Sequence, residues 1–497
     1  MKKIKIIGLI LSGLLIVSCN SNTKNKATVE TDKNGVAMLT DAQIENIVKR
    51  SYQYVAMFNV NNKAALDESN PWSTGGYNKV IAATTLLDHR LRVIARPNND
   101  TFYSVAAIDV TEEPIVLEIP SINSDYVSLM VTGYDHYVNI PISTSMGPDI
   151  FAKSSTILFY SERTPGYDGE PVKGVDKIFE TTGDFLSAVL RVMPHANEPE
   201  RLEPIRAAMQ AITVEPLSEF VGRGEDEAHV VEWDSPPGIN RNLDLAKDMA
   251  RFPPFGSDFE IFEDRFIEVM QFVVNHTTFD PEDELDAGLL AALGPLGIET
   301  GKMYDPETAP MIDGVALREV AQRVAAEQLA NMADPQFTSK ALNSLFLPKG
   351  EMTLENLTFQ SVVGPIGQPA SQAVYPPVVT EDGAPMNAMH DYEILMTADE
   401  MPPAKAFWSM TLYENETGFF VPNDRFKYSV GENGGFKLDE DGGIRIVIAA
   451  EKPDGVPEEN WLPITREDLD LDISLRVYIP DLEKYKSWQP PKAEVLQ

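Results

Sequence analysis

Leu471-Asp472-Ile473-Ser474-Leu475-Arg476-Val477-Tyr478-Ile479 decides how the end of this chain folds. Side chains on a strand point to opposite faces in turn, so Leu471, Ile473, Leu475, Val477 and Ile479 share one face. Asp472, Ser474, Arg476 and Tyr478 share the other. One apolar face and one polar face mark an antiparallel sheet packed on one side only. Ala406-Phe407-Trp408-Ser409-Met410-Thr411-Leu412-Tyr413 separates into two faces in the same way, which puts Trp408 with Met410 and Leu412 in the core. Asp441-Gly442-Gly443, between Phe436-Lys437-Leu438 and Ile444-Arg445-Ile446-Val447-Ile448, predicts a hairpin, since adjacent positive-φ positions favour Asp and Gly.

Working back along the chain, Ile115 to Ile119 lies between Pro114 and Pro120. With Tyr126 to Val131 and Ser155 to Tyr160, it predicts a second set of short strands. Between the two β regions the period becomes helical. Ser257-Asp258-Phe259-Glu260 is a capping box ahead of Phe262, Phe266, Val269, Met270 and Val273. Asp280 followed by Pro281 reads as an N-cap and first-turn proline ahead of Leu289, Leu290 and Leu293. Leu317, Val320, Ala321, Val324 and Ala325 form a third stripe, in a helix ending before Pro335. Thr40-Asp41-Ala42-Gln43, a further capping box, opens the folded part with Ile44, Ile47, Val48 and Val55 on one helical face. The class is mainly β with a helical segment.

The first residues read as a targeting signal. Lys2, Lys3 and Lys5 precede an apolar or small stretch from Ile6 to Val17, too short to span a bilayer, which needs about 20 apolar residues. It ends in Ile16-Val17-Ser18-Cys19, a lipobox-like pattern whose cysteine would carry a diacylglycerol. Cys19 is the one cysteine of the chain, so no disulfide can form within a molecule. The expected organisation is a leader over 1–18, a flexible tether over 19–38, an N-terminal β-sandwich over 39–225, a helical segment over 226–345 and a C-terminal β domain over 346–497. Asn20, rather than Asp, points to the outer membrane facing the periplasm.

With 43% hydrophobic residues the chain can bury substantial cores, and its formal charge is −35. Such a field repels phosphate backbones and anionic headgroups, which excludes nucleic acid as a partner. The six histidines, His89, His136, His195, His229, His276 and His390, include no pair at zinc-ligand spacing. Nucleophile-elbow, phosphate-loop and dinucleotide-binding motifs are missing, so no cofactor is called for.

Arg96-Pro97-Asn98-Asn99-Asp100-Thr101-Phe102-Tyr103-Ser104 resembles the Asn-Arg-Asp-Thr-Leu-Tyr-Ser signature of domain-of-unknown-function family 1254, departing at Asn99 and Phe102. The end of the chain resembles family 1214, through Ala373-Val374-Tyr375-Pro376, Pro402-Pro403-Ala404-Lys405-Ala406-Phe407-Trp408-Ser409, Asn460-Trp461-Leu462-Pro463 and Leu475-Arg476-Val477-Tyr478-Ile479-Pro480. Asn423-Asp424-Arg425-Phe426-Lys427-Tyr428-Ser429 spreads that family's Arg-Tyr-Ser signature by two residues. The resemblance implies an immunoglobulin-like sandwich, a helical segment and a jelly-roll-like sandwich, and no established reaction.

Candidate ligand-binding residues fall in three groups. Arg96, Asn99, Asp100 and Tyr103 place opposite charges, an amide and a phenol at the entry to a strand; the competing reading is a turn held by Asn99 and Asp100, with Arg96 on a carboxylate. Tyr134 and His136 can share a strand face, with His136 expected at the surface. Arg425, Tyr428 and Trp461 offer rings and a cation of the kind a sugar site uses, with Trp461 expected to be exposed in a loop. Catalytic residues are not assigned, because 76 acids nominate no pair. The favoured reading is an envelope protein, anchored to the membrane through lipid on Cys19, that binds a small polar molecule or glycan. A hydrolase using carboxylates or a non-local metal, and a structural envelope protein, are the alternatives; a homo-oligomer is left open.

Overall fold

The computed structural model describes residues 29–496 apart from 93–94, 148, 224–248, 333–336 and 338–340. The leader, the first half of the tether with Cys19, and the first part of the expected helical segment lie outside the described residues.

The first β region has two facing sheets. One has the order β1-β2-β8-β4-β5, built from Lys79–Ala83, Phe102–Asp109, Phe185–Val192, Val127–Thr132 and Ile140–Ser143. The other has the order β7-β6-β3-β9, from Lys177–Thr181, Ser155–Ser161, Ile115–Ile119 and Thr213–Pro216. Phe102, Ile108, Leu129 and Leu190 of the first meet Leu117, Ile157 and Phe159 of the second in one core. The opposite face of the five-stranded sheet is not left to water. The helix Asp41–Leu66 crosses it, and Asn61 takes the Ser187 hydroxyl at 2.9 Å.

That first helix starts at the expected capping box, where the Thr40 side chain and Gln43 exchange hydrogen bonds. Its buried side joins Phe262, Phe266, Val269 and Leu317 in a core shared with the helices Phe266–Asn275 and Gly314–Met332. Ser257 and Glu260 form the second capping box. Asp280 does not cap the helix Glu284–Leu293; Asp283 does, because its carboxylate accepts the amides of both Leu285 and Asp286. Among the described residues, no helix is long and apolar enough to cross a membrane.

The C-terminal region again has two sheets around one core. β18 (Asp470–Pro480) and β14 (Ala404–Glu414) form its longest antiparallel pair, flanked by β15 (Ser429–Gly431), with β10 (Ala373–Val374), β11 (Pro377–Val378) and β12 (Met386–Asn387) along the free side of β18. The second sheet orders β17 (Trp461–Pro463), β16 (Ile444–Ala449), β13 (Tyr392–Met396) and β19 (Glu494–Val495). Trp408, Met410 and Leu412 lie in this core, together with Leu471, Ile473, Leu475 and Val477.

Three local expectations are corrected. The Asp441-Gly442-Gly443 turn forms, but Phe436 to Leu438 makes no strand: Phe436 stacks on Trp408 at 5.0 Å, and Asn460 accepts the Lys437 amide at 2.8 Å. β16 pairs with β13 and β17 instead. Trp461 is not an exposed loop residue. It begins the parallel strand β17, is only 4% exposed, and donates its indole N–H to the Ala449 carbonyl at 2.9 Å. His136 is fully buried, with Nδ1 against the Ser361 hydroxyl and Nε2 against the Pro365 carbonyl, both at 2.8 Å. Its φ of 64° turns the chain inward where a continued strand would carry it outward.

Candidate functional site

The site is built from the pleat of the five-stranded sheet. Residues opposite one another on neighbouring strands point to the same face, about 4.8 Å apart. Ala83, Tyr103, Arg191, Ser128 and Ser143 stand in register across β1, β2, β8, β4 and β5. Because Phe102, Leu190 and Val192 face the sandwich core, this row faces away from it, toward the second β region.

Arg191 is the center of that row and is 6% exposed. Its Nη2 reaches the Ile366 carbonyl at a long 3.5 Å, and its buried Nη1 has no acceptor. Among the described residues no carboxylate pairs with it; its neighbours are the phenols of Tyr103, Tyr126 and Tyr375. Burial pushes the Tyr126 and Tyr375 hydroxyls above the ordinary phenol range, and the Arg191 charge opposes that shift. Tyr126 donates its hydroxyl proton to Gln368 Oε1 at 2.6 Å and lies 3.2 Å from the Ser128 hydroxyl, which fixes the polar wall beside the guanidinium. Tyr375 is 40% exposed as a residue although its hydroxyl is buried, and Tyr103 is half-buried, so parts of these two side chains meet solvent while the guanidinium stays covered.

The floor of the seam is aromatic. Phe407 and Tyr478 stack with centroids 4.1 Å apart, and Tyr126 meets Tyr478 edge-on at 5.0 Å. Beyond them Asp100 is buried and accepts the hydroxyls of Ser409 at 2.6 Å and Tyr478 at 3.0 Å. Arg476 is buried nearby but fully used: it donates to Thr411 at 3.0 Å, to the Arg96 carbonyl at 3.1 Å and to the Tyr413 hydroxyl at 2.7 Å. Two arginines thus share one seam, one satisfied and one not. Glu432, which accepts the Trp408 amide at 3.0 Å, is pushed up to about 7 by burial, with the Asp100 and Asp125 charges adding to it.

Of the residues singled out by sequence, Arg96, Asp100 and Tyr103 lie along this seam. Arg96 pairs with Asp472 at 2.6 Å, and the Asn99 side-chain oxygen is buried without a partner. His136 borders the seam only indirectly, by holding Pro365 beside Ile366. Tyr134 is in the helical core, where its hydroxyl accepts from Asn62 at 3.3 Å. Arg425 is on the surface, paired with Glu458 at 2.7 Å and lying over the Trp461 ring at 4.9 Å. Tyr428 is buried beside His89. Arg191, Tyr126, Ser128 and Tyr375 were not singled out. The available signal was Arg191 itself, a charged residue inside the apolar run Phe185-Leu186-Ser187-Ala188-Val189-Leu190-Arg191-Val192.

Other polar clusters are less suited to chemistry. Ser161, Asp184 and His276 have the composition of a triad, but Asp184 stands in the middle, 2.7 Å from the Ser161 hydroxyl and 2.8 Å from His276 Nδ1. With Arg163 on the same carboxylate, this is a clamp, not a nucleophile and its base. Among the described residues, no group of three or more His, Cys, Asp or Glu could hold a metal ion.

The family described as Protein of unknown function (DUF1254) matches residues 77–216, and Protein of unknown function (DUF1214) matches residues 372–482. The fold is similar to the crystal structure of the VPA0106 protein from Vibrio parahaemolyticus, with a TM-score of 0.65 and 19% identity over 92% of this chain and 100% of that one. An uncharacterised protein from Burkholderia cenocepacia aligns over 92% of this chain and 96% of its own, with 12% identity and a TM-score of 0.40. No curated protein matches. Tyr103, Tyr126 and Arg191 fall within the first matched segment, and Tyr375, Ser409 and Tyr478 within the second, so the seam is made by both. The chain belongs to the two-domain family that pairs an N-terminal DUF1254 domain with a C-terminal DUF1214 domain.

Proposed function

We propose that this protein binds a small polar ligand in the seam between its two β regions, and that it does so in the cell envelope, held by lipid on Cys19. The observation that carries the binding reading is Arg191, a buried cation without a carboxylate partner, set among phenols in the seam. A buried charge left unpaired costs stability, and one retained among polar groups that converge on it fits a ligand site. The glycan version of the reading loses its aromatic candidate, because Trp461 is in the core. We also propose that the first sandwich is immunoglobulin-like and the second jelly-roll-like, a reading supported by the two facing sheets in each.

The test is a thermal-shift screen of the full chain against sugars, organic acids and divalent metals with a chelator control. A ligand at a hundred times its dissociation constant stabilises by about 2.7 kcal/mol. Stabilisation that disappears when Arg191 is replaced supports the seam; no stabilisation by any compound counts against it. Lipidation is tested separately, by partitioning of the expressed protein into detergent and its loss in Cys19→Ser.

The hydrolase alternative draws on Glu432, a carboxyl near 7 beside Asp100, since a group poised near neutral pH suits proton transfer. Turnover of chromogenic esters or glycosides that Glu432→Gln abolishes would replace binding with catalysis.

A further inference from the structure

We infer that the ligand of the seam is a small carboxylic acid with an apolar body, its carboxylate on Arg191 and its body along the edge of β1. This rests on the ligand-binding reading and narrows it to a chemical class.

The groups around Arg191 are neutral: the hydroxyls of Tyr103, Tyr126, Ser128 and Tyr375 and the amide of Gln368. The environment therefore lacks one negative charge, which a monoanion supplies. A guanidinium presents its N–H groups in a planar fork that matches a carboxylate, and here Nη1 has no acceptor. A phosphate dianion would bring a second charge, and the other arginine described in the seam, Arg476, is already engaged by Thr411, Tyr413 and the Arg96 carbonyl. The chain's charge of −35 also works against a dianion.

The apolar body follows from what lies beside the guanidinium. Arg191 leans over Tyr103, with its guanidinium carbon 5.5 Å from the ring centre, and so toward β2 and β1. Trp72 meets the same Tyr103 ring edge-on at 5.9 Å. Trp72 is also a wall of a groove of about 590 Å³ along β1, lined further by Ile81, Ala83, Leu87 and Leu91. Ala83 is the cross-strand partner of Tyr103, so the groove begins one strand from the ring that Arg191 covers. Arg191 and Tyr103 do not themselves line this groove; Trp72, in ring contact with Tyr103, is the residue that joins it to the seam.

The experiment is titration calorimetry of the full chain with hexanoate and benzoate, against hexanamide, benzamide, inorganic phosphate and glucose. The acids should bind at least tenfold more tightly than their amides. Arg191→Gln should abolish that preference, and Arg191→Lys should restore part of it. Trp72→Ala, at a half-buried position, should weaken hexanoate and leave acetate unchanged, and it keeps the test valid if Arg191 variants fail to fold. Amides that bind as well as acids, or acids that bind Arg191→Gln as well as the parent, would overturn the inference. Glucose or phosphate binding in place of the acids would overturn the ligand class while leaving a seam ligand standing. If neither the acids nor any compound of the wider screen binds, both readings fail.

Discussion

Arg191 on β8 and Tyr103 on β2 stand directly opposite each other, with the guanidinium carbon 5.5 Å from the centre of the Tyr103 ring. A cation over an aromatic face is attracted by about 0.5–2 kcal/mol, more as water is excluded. The Tyr103 ring and hydroxyl together aim the side chain, with the Ile366 carbonyl as a long-range acceptor. Tyr103→Phe keeps the ring and should retain most acid affinity, while Tyr103→Ala should lower it about tenfold. Calorimetry on both variants checks this; equal losses would assign the effect to the hydroxyl instead.

Asp100 tests how the two β regions are joined. Its carboxylate is the acceptor for Ser409 and Tyr478, and Arg476 lies nearby. Removing one partner from a buried network leaves the others unpaired, so Asp100→Ala should cost roughly 3 kcal/mol in chemical unfolding. Ser409→Ala should cost about 1 kcal/mol, and the double variant should be less destabilised than the sum.

Glu432 predicts a pH dependence of definite sign. Burial raises its carboxyl from 4.5 to about 7. The folded state therefore holds a proton that the unfolded chain has released, and this contribution is present below about 4.5 and lost as pH rises through 7. The effect is on the order of 2 kcal/mol. Unfolding at pH 5 and pH 8 should show the difference in the parent protein, and Glu432→Gln should reduce it.

Asp135 and Asp286 should respond oppositely to the same substitution. Asp135 is buried without a salt-bridge partner among the described residues, its carboxylate facing only the Thr182 hydroxyl and the Tyr137 amide, while Asp286 is buried against Lys349. Burial raises both carboxyls; Thr182 and Lys349 oppose it at Asp135, and chiefly Lys349 at Asp286. Asp135→Asn removes an unpaired charge and should stabilise by roughly 1–3 kcal/mol at neutral pH. Asp286→Asn leaves Lys349 buried without its partner and should destabilise by a similar amount. Denaturant midpoints at pH 7 check both.

Much of this fold is readable where one strand face is buried and the other polar, as in the Leu471 to Ile479 stretch, or where caps mark helix ends, as at Thr40 and Ser257. Strands β4 and β8 are buried on both faces, because helices and the 364–376 connection cover the outer side of their sheet, so they show no alternation to read. The same cover conceals the site. Tyr103 and Arg191 are 88 residues apart and meet only through strand register, which no local pattern reveals. Trp461 misleads because Asn460 and Pro463 suggest a loop, whereas Asn460 bonds both the Lys437 amide and carbonyl and seats the strand.

The most direct test of the account is the stability of Arg191→Met without ligand. In the empty protein the cost of burying a guanidinium without a carboxylate offsets its attraction to the Tyr103 ring, so its net contribution to folding is no larger than that of an apolar side chain of similar length. The account predicts that Arg191→Met unfolds at the parent's midpoint or above it and no longer binds the acids. A loss of 3 kcal/mol or more in the empty protein would show Arg191 to be a structural residue and would contradict the account.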